Sequence, residues 1–330
     1  MTRNFIKEIL RPLLNRTTYI LSAILLLAGV ACNREALRPS GFVDVPGGRV
    51  AFRVMGERDG IPLLMIHGGP GSTSCTYPAT LTGVAASRPV VMYDQLDSGN
   101  SDRMVDLQRD AVLSRFVSEV AAIRAELGLR EVHLLGHSWG ASVALEYLLT
   151  AAPKGVRSVI FVGPLFGTDR WLQDANGLVA RLPHEAQTAI RIAKETGGFT
   201  TPEFQAANAV FETQFLSRGP LDRSTLPECL TSPGGSVRLY NHMWGPSEFV
   251  STGTLRDFNR IDRLPEIRIP TLFLVGEYDE ARPETMLEYQ ALVPGSTVKV
   301  IPGAGHLVNV DQPQAFNQVI NEFLASVETR

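Results

Sequence analysis

Short apolar runs of strand length alternate with helix-like segments along most of this 330-residue chain, and this alternation restricts its fold more than any other feature. The runs are continuously apolar, as expected for parallel strands covered on both faces. They are Leu63–His67, Val90–Tyr93, Val132–Leu135, Val156–Val162, Thr271–Val275 and Val298–Ile301. Before them, Phe42–Val45 and Arg49–Met55 flank a Pro46-Gly47-Gly48 turn and predict a hairpin. We expect a doubly wound α/β fold with an antiparallel start.

The alternation stops between about residues 166 and 253, where helical patterns replace strands. These patterns are Gln173–Leu182, His184–Thr196 and Pro202–Ser217. They predict a helical cap (166–253) inserted into an α/β core made of residues 42–165 and 254–330. The chain closes with an amphipathic segment, Gln312–Val327, which predicts a helix whose apolar face carries Phe316, Val319, Ile320, Phe323 and Leu324.

The first 32 residues have the pattern of a secretory signal peptide, and a short linker (33–41) follows. Basic residues precede an apolar run, Tyr19–Ala31, which is shorter than the about 20 residues of a bilayer-spanning helix. Ala28-Gly29-Val30-Ala31-Cys32 resembles a bacterial lipoprotein signal, although Gly29 replaces the usual leucine-like residue. Ordinary cleavage and an uncleaved anchor stay open. We expect an exported protein, periplasmic or membrane-anchored, with acylation at Cys32 as one route.

Net charge and cysteine content bear on whether the protein binds nucleic acid or metal and on whether it contains a disulfide. The formal net charge of −3 gives no electrostatic reason to expect nucleic acid. No CxxC or histidine-rich cluster supports a metal site. Apart from Cys32, the chain contains Cys75 and Cys229. An oxidising compartment would permit a disulfide, but their separation gives no indication of pairing, so two buried free thiols are the expectation.

Gly136-His137-Ser138-Trp139-Gly140 lies between a predicted strand and a predicted helix, Ala141–Leu149. Glycines on both sides allow the sharp turn that projects a serine hydroxyl above the sheet edge, where it can act as a nucleophile. The alternative is a serine that only caps the helix. The motif is short, so the rest of the chain must decide between these interpretations.

A serine nucleophile needs a histidine base and a carboxylate that orients it. Of the six histidines, His306 alone follows a predicted strand and precedes the closing helix, in Pro302-Gly303-Ala304-Gly305-His306. Asp279 follows the strand Thr271–Val275 directly. Alone, each could be an ordinary loop residue. Because ligands gather at the carboxyl ends of parallel strands, and the order Ser138, Asp279, His306 suits this fold, we expect a catalytic triad.

The segment His67-Gly68-Gly69-Pro70-Gly71 follows the strand residues Leu63–Ile66. Its glycines let a backbone N–H point into the site, and this position supplies an oxyanion donor in such folds. We expect the backbone amides of Gly69 and Trp139 to stabilise the tetrahedral intermediate. The alternative is a tight turn with no ligand.

Together, His67–Gly71, Tyr93-Asp94-Gln95, Gly136–Gly140, Gly276–Glu280 and Gly305-His306 resemble the proline iminopeptidase family of serine peptidases. The chain looks closest to the tricorn-interacting aminopeptidase and to amino-acid amidases, from about Phe42 to the C-terminus. The resemblance implies an α/β-hydrolase fold with a helical cap. It also implies a serine aminopeptidase that acts through an acyl-enzyme, without a cofactor.

The resemblance also carries over two glutamates, Glu248 in Gly245–Phe249 and Glu280 directly after Asp279. In the family, such a pair holds the free α-ammonium group of the substrate, so the expected substrates are short peptides or amino-acid amides. Paired anions suit a cation removed from water. Each glutamate alone would be an ordinary surface charge. The chain departs from the family at Leu96–Ser101, where Asp97 adds an acid of unknown role.

Two other functions remain open. A carboxylesterase-type hydrolase would use the same triad without requiring a free amine, and a binding protein on this fold would not react at Ser138. An apolar side-chain pocket has candidates among the aromatic residues, although core packing is expected to claim most of them. These are Trp139, Phe166, Trp171, Phe211, Phe215, Tyr240 and Trp244. The preferred first residue and the oligomeric state are not predicted.

Overall fold

An eight-stranded, mostly parallel sheet forms the centre of the protein. The computed structural model describes residues 37–56, 59–218 and 223–329. The strand order is β1-β2-β4-β3-β5-β6-β7-β8, in which β1 and β2 are antiparallel and β3 to β8 run parallel to one another. The strands are β1 (Ser40–Val45), β2 (Gly48–Met55), β3 (Leu63–Ile66), β4 (Val90–Tyr93), β5 (Val132–His137), β6 (Val156–Val162), β7 (Thr271–Gly276) and β8 (Thr297–Ile301). The expected sheet with an antiparallel start is confirmed.

Helices cover both faces of this sheet and fill the long stretch between β6 and β7. The α-helices are α1 (Tyr77–Thr80), α2 (Thr82–Ala85), α3 (Leu107–Asp110), α4 (Leu113–Glu126), α5 (Trp139–Ala151), α6 (Thr168–Val179), α7 (His184–Thr196), α8 (Pro202–Phe211), α9 (Pro227–Thr231), α10 (Val237–Met243), α11 (Pro283–Leu292), α12 (Val308–Asp311) and α13 (Pro313–Glu328). A π-helix, Glu212–Leu216, continues α8, and short 3₁₀ helices span Arg223–Thr225 and Ile261–Glu266.

The C-terminal helix α13 packs on one face of the sheet, as its apolar stripe predicts. Phe316, Ile320 and Leu324 are fully buried against a cluster that includes Leu63 and Met92, while Val319 and Phe323 pack at its margin. Each buried side chain of this size contributes about 1.5–3 kcal/mol relative to an exposed one. This helix therefore closes the core on one face of the sheet, where it lies against α2, β6 and β8.

The inserted stretch leaves and rejoins the core through two backbone segments that lie side by side. The backbone of Thr168 donates to Phe258 (2.9 Å) and that of Arg260 donates to Phe166 (2.7 Å), so the entering and leaving segments are paired. Between them lie α6 to α10 and the π-helix, with no named strand among the described residues. The predicted helix over 202–217 is correct only to Phe211, since the following turn is wound as a π-helix. The exact bounds 166–253 stay a prediction.

A disulfide joins Cys75 to Cys229, so the expectation of two free thiols is wrong. Cys75 lies in the loop after β3 and Cys229 in α9, and their Cα atoms are 4.9 Å apart. The fold places α9 directly on this loop, which a separation of 154 residues along the chain could not indicate. The bridge therefore ties the inserted segment to the core beside the loop that carries Gly69.

Asp97 reinforces the same junction, and this contact gives it a structural role. Its buried carboxylate accepts from Ser236 Oγ (2.5 Å) and from Arg238 Nε (3.1 Å) at the start of α10. Nearby, the Ser236 amide donates to the carbonyl of Gly71 at 2.7 Å. A desolvated carboxylate needs such charged and hydrogen-bonding partners. The departure from the family pattern at this position is thus a contact between core and cap.

Removing the disulfide is expected to lower the free energy of unfolding by about 2–5 kcal/mol, because the bridge constrains a long loop of the unfolded chain. The measurement is urea unfolding of the Cys75→Ala/Cys229→Ala variant against wild type. Reductant should shift the wild-type curve by a similar amount and leave the double variant unchanged. Equal midpoints for wild type with and without reductant would show that the bridge contributes nothing.

No helix in the described ranges combines the length and apolar character that crossing a bilayer requires. The predicted signal peptide (1–32), Cys32 and residues 33–36 of the predicted linker lie outside those ranges.

Candidate active site

Ser138 occupies the apex of a sharp turn between β5 and α5. Its backbone has a positive φ (φ +54°, ψ −121°), a conformation that costs a non-glycine residue about 1–3 kcal/mol and persists only where the surroundings enforce it. One such constraint is the bond from its amide to the Val162 carbonyl (2.9 Å). Gly140 is also required, since a Cβ there would lie 2.1 Å from the carbonyl oxygen of Ile66. Among the described residues, the Ser138 side chain caps no helix.

His306 is hydrogen-bonded to Asp279, the residue three positions after β7. The distance from His306 Nδ1 to Asp279 Oδ1 is 2.8 Å, and both side chains are almost completely buried. The Asp279 carboxylate is itself oriented by the Ala281 amide, which donates to Oδ1 at 2.8 Å. The bond between His306 and Asp279 places the imidazole proton on Nδ1 of His306 and leaves its Nε2 free to accept a proton.

These two residues lie next to the turn that carries Ser138. Gly163 follows β6 directly, and a Cβ on it would lie 2.7 Å from His306 Nδ1 and 2.8 Å from Asp279 Oδ2. The residue before it, Val162, accepts the Ser138 amide. The ends of β5, β6, β7 and β8 therefore bring the three predicted triad residues into one small region, although these residues are far apart in sequence.

Two backbone hydrogen bonds join the loop of His306 to the inserted segment. The His306 amide donates to the carbonyl of Phe215 (2.8 Å) and the Leu307 amide to that of Leu216 (2.7 Å). Both acceptors belong to the π-helix, an irregular turn that often occurs at functional sites. The position of the base thus depends on the cap as well as on the core.

The electrostatics of His306 favour its charged form. Burial alone would lower its pKa, but the charge and hydrogen bond of Asp279, together with the charge of Glu248, raise the pKa above 6.5. A histidine in such a setting accepts a proton readily and stabilises the resulting cation.

The glycine-rich loop after β3 lies against the nucleophile. A Cβ on Gly68 would approach Ser138 Cβ to 2.9 Å, so the loop can be this close only without side chains. Gly69 has a positive φ of +114° and is followed by a cis bond to Pro70. Trp139, the other predicted donor residue, is completely buried at the first position of α5. Both predicted oxyanion amides thus belong to segments that border Ser138.

The predicted glutamate pair lies beside the triad, and its two members differ in their partners. Glu248 accepts a hydrogen bond from the Tyr240 hydroxyl (2.7 Å), and its backbone carbonyl accepts from the Trp171 indole (3.0 Å). Glu280 is completely buried, and neither carboxylate oxygen has a hydrogen-bond partner among the described residues. A buried carboxylate without partners is costly, so Glu280 is a group that a ligand would satisfy.

The electrostatics of the two glutamates favour a positively charged ligand. Burial raises the pKa of Glu280 well above its ordinary value, and the charges of Glu248, Asp279 and Glu212 raise it further. Burial also raises the pKa of Glu248, although the bond from Tyr240 opposes this. Carboxylates that repel each other in this way gain most from a cation placed between them.

Sequence reasoning missed Glu212, which adds a third glutamate to this region. It begins the π-helix and accepts a hydrogen bond from Asn208 Nδ2 (2.7 Å), and its charge acts on both Glu248 and Glu280. A helical period predicts that a segment is helical but not that one turn is wound as a π-helix, so no sequence signal would have placed Glu212 here.

Of the predicted aromatic pocket residues, Trp171 packs with its ring against that of the base, and the two ring centroids lie 5.4 Å apart in an edge-to-face arrangement with His306. Phe211 and Phe215 stack with each other, and Phe211 also stacks with Phe249 inside the cap. Phe166 packs between Phe161 and Tyr289 in the core. Most of these aromatic side chains therefore pack in the interior of the core or the cap. In the described part of the chain, no three His, Cys, Asp or Glu residues form a metal-binding group.

Comparison with known proteins places these features in a family. Residues 61–313 match a family model described as the alpha/beta hydrolase fold. The chain is 43% identical over 293 residues to a proline iminopeptidase of Heyndrickxia coagulans, covering 87% of this chain and 99% of that protein. It is 36% identical over 279 residues to a proline iminopeptidase of Lactobacillus delbrueckii subsp. lactis, covering 83% and 94%.

A solved structure agrees with this likeness. The crystal structure of a Mycobacterium smegmatis proline iminopeptidase superposes with a TM-score of 0.78 at 29% identity, covering 88% of this chain and 99% of the other. An esterase from a Rhodococcus species, at 22% identity and a TM-score of 0.61, shares the fold. The identity and coverage of the curated relatives show that the chain belongs to the proline iminopeptidase family of α/β-hydrolase serine peptidases.

Proposed function

We propose that the protein is a serine aminopeptidase that releases N-terminal residues, proline or other mainly apolar ones, from short peptides or amino-acid amides. The observation that carries this proposal is Glu280, whose buried carboxylate has no hydrogen-bond partner in the described part of the chain, lies next to Asp279 and interacts with Glu248. The relatives named proline iminopeptidase support the same activity.

In this mechanism Ser138 attacks the carbonyl carbon of the first residue while His306 Nε2 takes the hydroxyl proton. Asp279 orients the imidazole through Nδ1 and stabilises its cation. The amides of Gly69 and Trp139 donate to the oxyanion. His306 then returns the proton to the leaving amine, so the C–N bond breaks and an acyl-enzyme remains. Water, activated by the same base, hydrolyses this ester and frees Ser138.

The glutamates would define where the substrate is cut. An α-ammonium group placed between Glu280 and Glu248 replaces the repulsion of two carboxylates by two charge-assisted hydrogen bonds. Because the carbonyl of the same residue must lie at Ser138, only the first peptide bond can react. An internal peptide segment has no such cation and would leave both carboxylates unsatisfied.

Replacing Glu280 by glutamine tests this assignment. We expect kcat/KM for an aminoacyl arylamide to fall by about 10- to 100-fold, since a hydrogen bond to a charged group contributes about 1.5–3 kcal/mol. Hydrolysis of the N-acetylated arylamide, which has no ammonium group, should be equally slow in both proteins.

Glu277→Gln is the matched control, because Glu277 is exposed and only three positions away, and it should leave both rates unchanged. If Glu280→Gln cleaves the free-amine substrate as fast as wild type, the ammonium site is elsewhere. If a simple ester reacts far faster than any aminoacyl substrate, the carboxylesterase alternative is favoured instead.

We also propose that the protein is exported, and is periplasmic or membrane-anchored, with Cys32 as a candidate acylation site. The signal-like pattern of residues 1–32 supports this, as does the Cys75–Cys229 disulfide, a bond that persists in oxidising compartments. Mass analysis of the mature N-terminus in a bacterial host tests it. A lipid-modified Cys32 or a new N-terminus near it is expected, and an intact N-terminus in the soluble cytosolic fraction would contradict export.

A further inference from the structure

The peptide unit between Gly68 and Gly69 is held in one orientation by the side chain that precedes it. His67 Nδ1 lies 2.9 Å from the Gly68 carbonyl oxygen. This peptide is trans, so its carbonyl and its N–H point in opposite directions in one plane. A bond that fixes the Gly68 carbonyl therefore also fixes the direction of the Gly69 N–H, the proposed oxyanion donor.

The ring of His67 is held in the tautomer that this bond requires. The Gln95 amide lies 2.9 Å from His67 Nε2, and a backbone N–H can only donate, so Nε2 accepts and the ring proton is on Nδ1. His67 is completely buried, and this burial lowers its pKa, so the ring stays neutral. Nδ1 is thus the donor and the Gly68 carbonyl the acceptor.

The side chain of Gln95 connects this unit to the second proposed donor. Its Nε2 donates to the His67 carbonyl (2.6 Å), and its Oε1 accepts from the Trp139 indole (3.2 Å). Gln95 is completely buried, as are both residues it joins. One amide therefore ties the base of the Gly69 loop to the residue whose backbone N–H is the other proposed donor.

We propose that His67 and Gln95 are positioning residues that aim the two oxyanion-hole amides. This proposal rests on the assignment of Gly69 and Trp139 as donors. Neither side chain touches the substrate. His67 sets the Gly68–Gly69 peptide plane. The backbone N–H of Gln95 sets the tautomer of His67, and the Gln95 side chain sets the spacing between His67 and Trp139. Preorganised donors of this kind contribute only if they point to where the negative charge develops.

Two substitutions at His67 distinguish its proposed role in orienting the Gly69 N–H from a role in packing alone. His67→Phe keeps a buried ring but removes the donor, and we expect kcat to fall by about 10- to 100-fold with KM nearly unchanged. His67→Asn places an amide nitrogen near the position of Nδ1, and it should recover most of this loss. Gln95→Leu, which leaves His67 in place, should lower kcat about 10-fold. Thermal unfolding shows which variants are folded.

A transition-state analogue provides a readout that packing alone would not change. An α-aminoboronic acid, in which boron replaces the carbonyl carbon of the amino acid, forms a tetrahedral adduct with Ser138 and uses the oxyanion hole. The free amino acid product does not. In His67→Phe we expect the boronate to bind weaker by about the same factor as the loss of kcat/KM, with the inhibition constant of the product unchanged. Should that variant not fold, Gln95→Leu is measured in its place.

The proposal is overturned if folded His67→Phe keeps kcat and boronate affinity within about 3-fold of wild type. It is also overturned if His67→Asn loses as much activity as His67→Phe. Each assay is run on an aminoacyl arylamide and on a simple phenyl ester. Misoriented oxyanion donors in a variant lower the rates for both substrates. If the aminopeptidase assignment is wrong, only the ratio of the ester rate to the arylamide rate in the wild-type protein differs from the expected one, so the two failures are distinguishable.

Discussion

Replacing Ser138 by alanine is expected to lower kcat for an aminoacyl arylamide by about 10⁶-fold, since loss of the nucleophile removes covalent catalysis and leaves only binding and the oxyanion hole. The turn between β5 and α5 holds the proposed nucleophile in position, and its side chain is almost completely buried. Steady-state kinetics and labelling with a serine-directed phosphonate measure the effect. Wild type should be labelled once, at Ser138, and the variant should not react.

The chain supplies a matched control at the opposite end of the same strands. Ser158 Oγ lies 2.7 Å from His133 Nδ1, and His133 Nε2 lies 3.0 Å from Glu328 Oε1, which is again a serine, a histidine and a carboxylate. Ser158 and His133 are completely buried near the starts of β6 and β5, where no substrate can reach.

Ser158→Ala should therefore keep kcat within about 2-fold of wild type while lowering the free energy of unfolding by about 1 kcal/mol, the usual net value of a hydrogen bond. A folded Ser138→Ala variant with substantial phosphonate labelling or turnover would contradict the assignment of the nucleophile. A catalytically inactive wild type that does not react with the phosphonate would instead favour a binding protein on this fold.

Replacing Asp279 by asparagine is expected to lower kcat by about 10⁴-fold, the loss known for the equivalent change in another serine protease. Asparagine would fit the same space, but its amide nitrogen can turn toward His306 Nδ1 and stabilise the wrong tautomer. The bond in question, 2.8 Å between Asp279 Oδ1 and His306 Nδ1, is the one that leaves Nε2 free to accept the serine proton.

The pH profile of kcat/KM should change in a defined direction in the same variant. His306 acts as a base only when neutral, so activity is lost as the pH falls through its pKa, which lies above 6.5 in the wild-type protein. Without the Asp279 charge and hydrogen bond, burial dominates and the His306 pKa falls. The acidic limb of the residual activity should therefore move to lower pH.

Glu328→Gln provides the control for this experiment, since it also removes a carboxylate that is bonded to a buried histidine. It should leave the pH profile of activity in place and affect stability alone. An unchanged acidic limb in Asp279→Asn, measured on folded protein, would show that Asp279 does not set the pKa of the base.

Local patterns in the sequence were enough to predict the sheet and the positions of the triad residues. The predicted and observed bounds of β4 and β6 are identical, and those of the other strands differ by at most two residues. Strands of this kind are short apolar runs, and a run is visible without knowing what it packs against. The strand ends then implied that Ser138, Asp279 and His306 converge.

Contacts between core and cap could not be predicted in this way. Cys75 and Cys229 lie 154 residues apart and meet only because α9 packs on the loop after β3. Asp97 had no evident role until Ser236 and Arg238 were found against it. Such contacts depend on the path of the inserted segment over the core, which has no local period.

The sequence by itself determined the fold class, and it predicted the order of the proposed catalytic residues and, through the family pattern, the two candidate glutamates. Each of these depends on which residues follow which strands, and that information is local. Only the tertiary structure decided that Glu280 is buried with no hydrogen-bond partner among residues 37–56, 59–218 and 223–329. It also decided that Glu212 adds its charge to the same site and that the π-helix holds the loop of His306. Burial and electrostatic interaction depend on neighbours distant in the chain, so they become definite only when the core and the cap pack together.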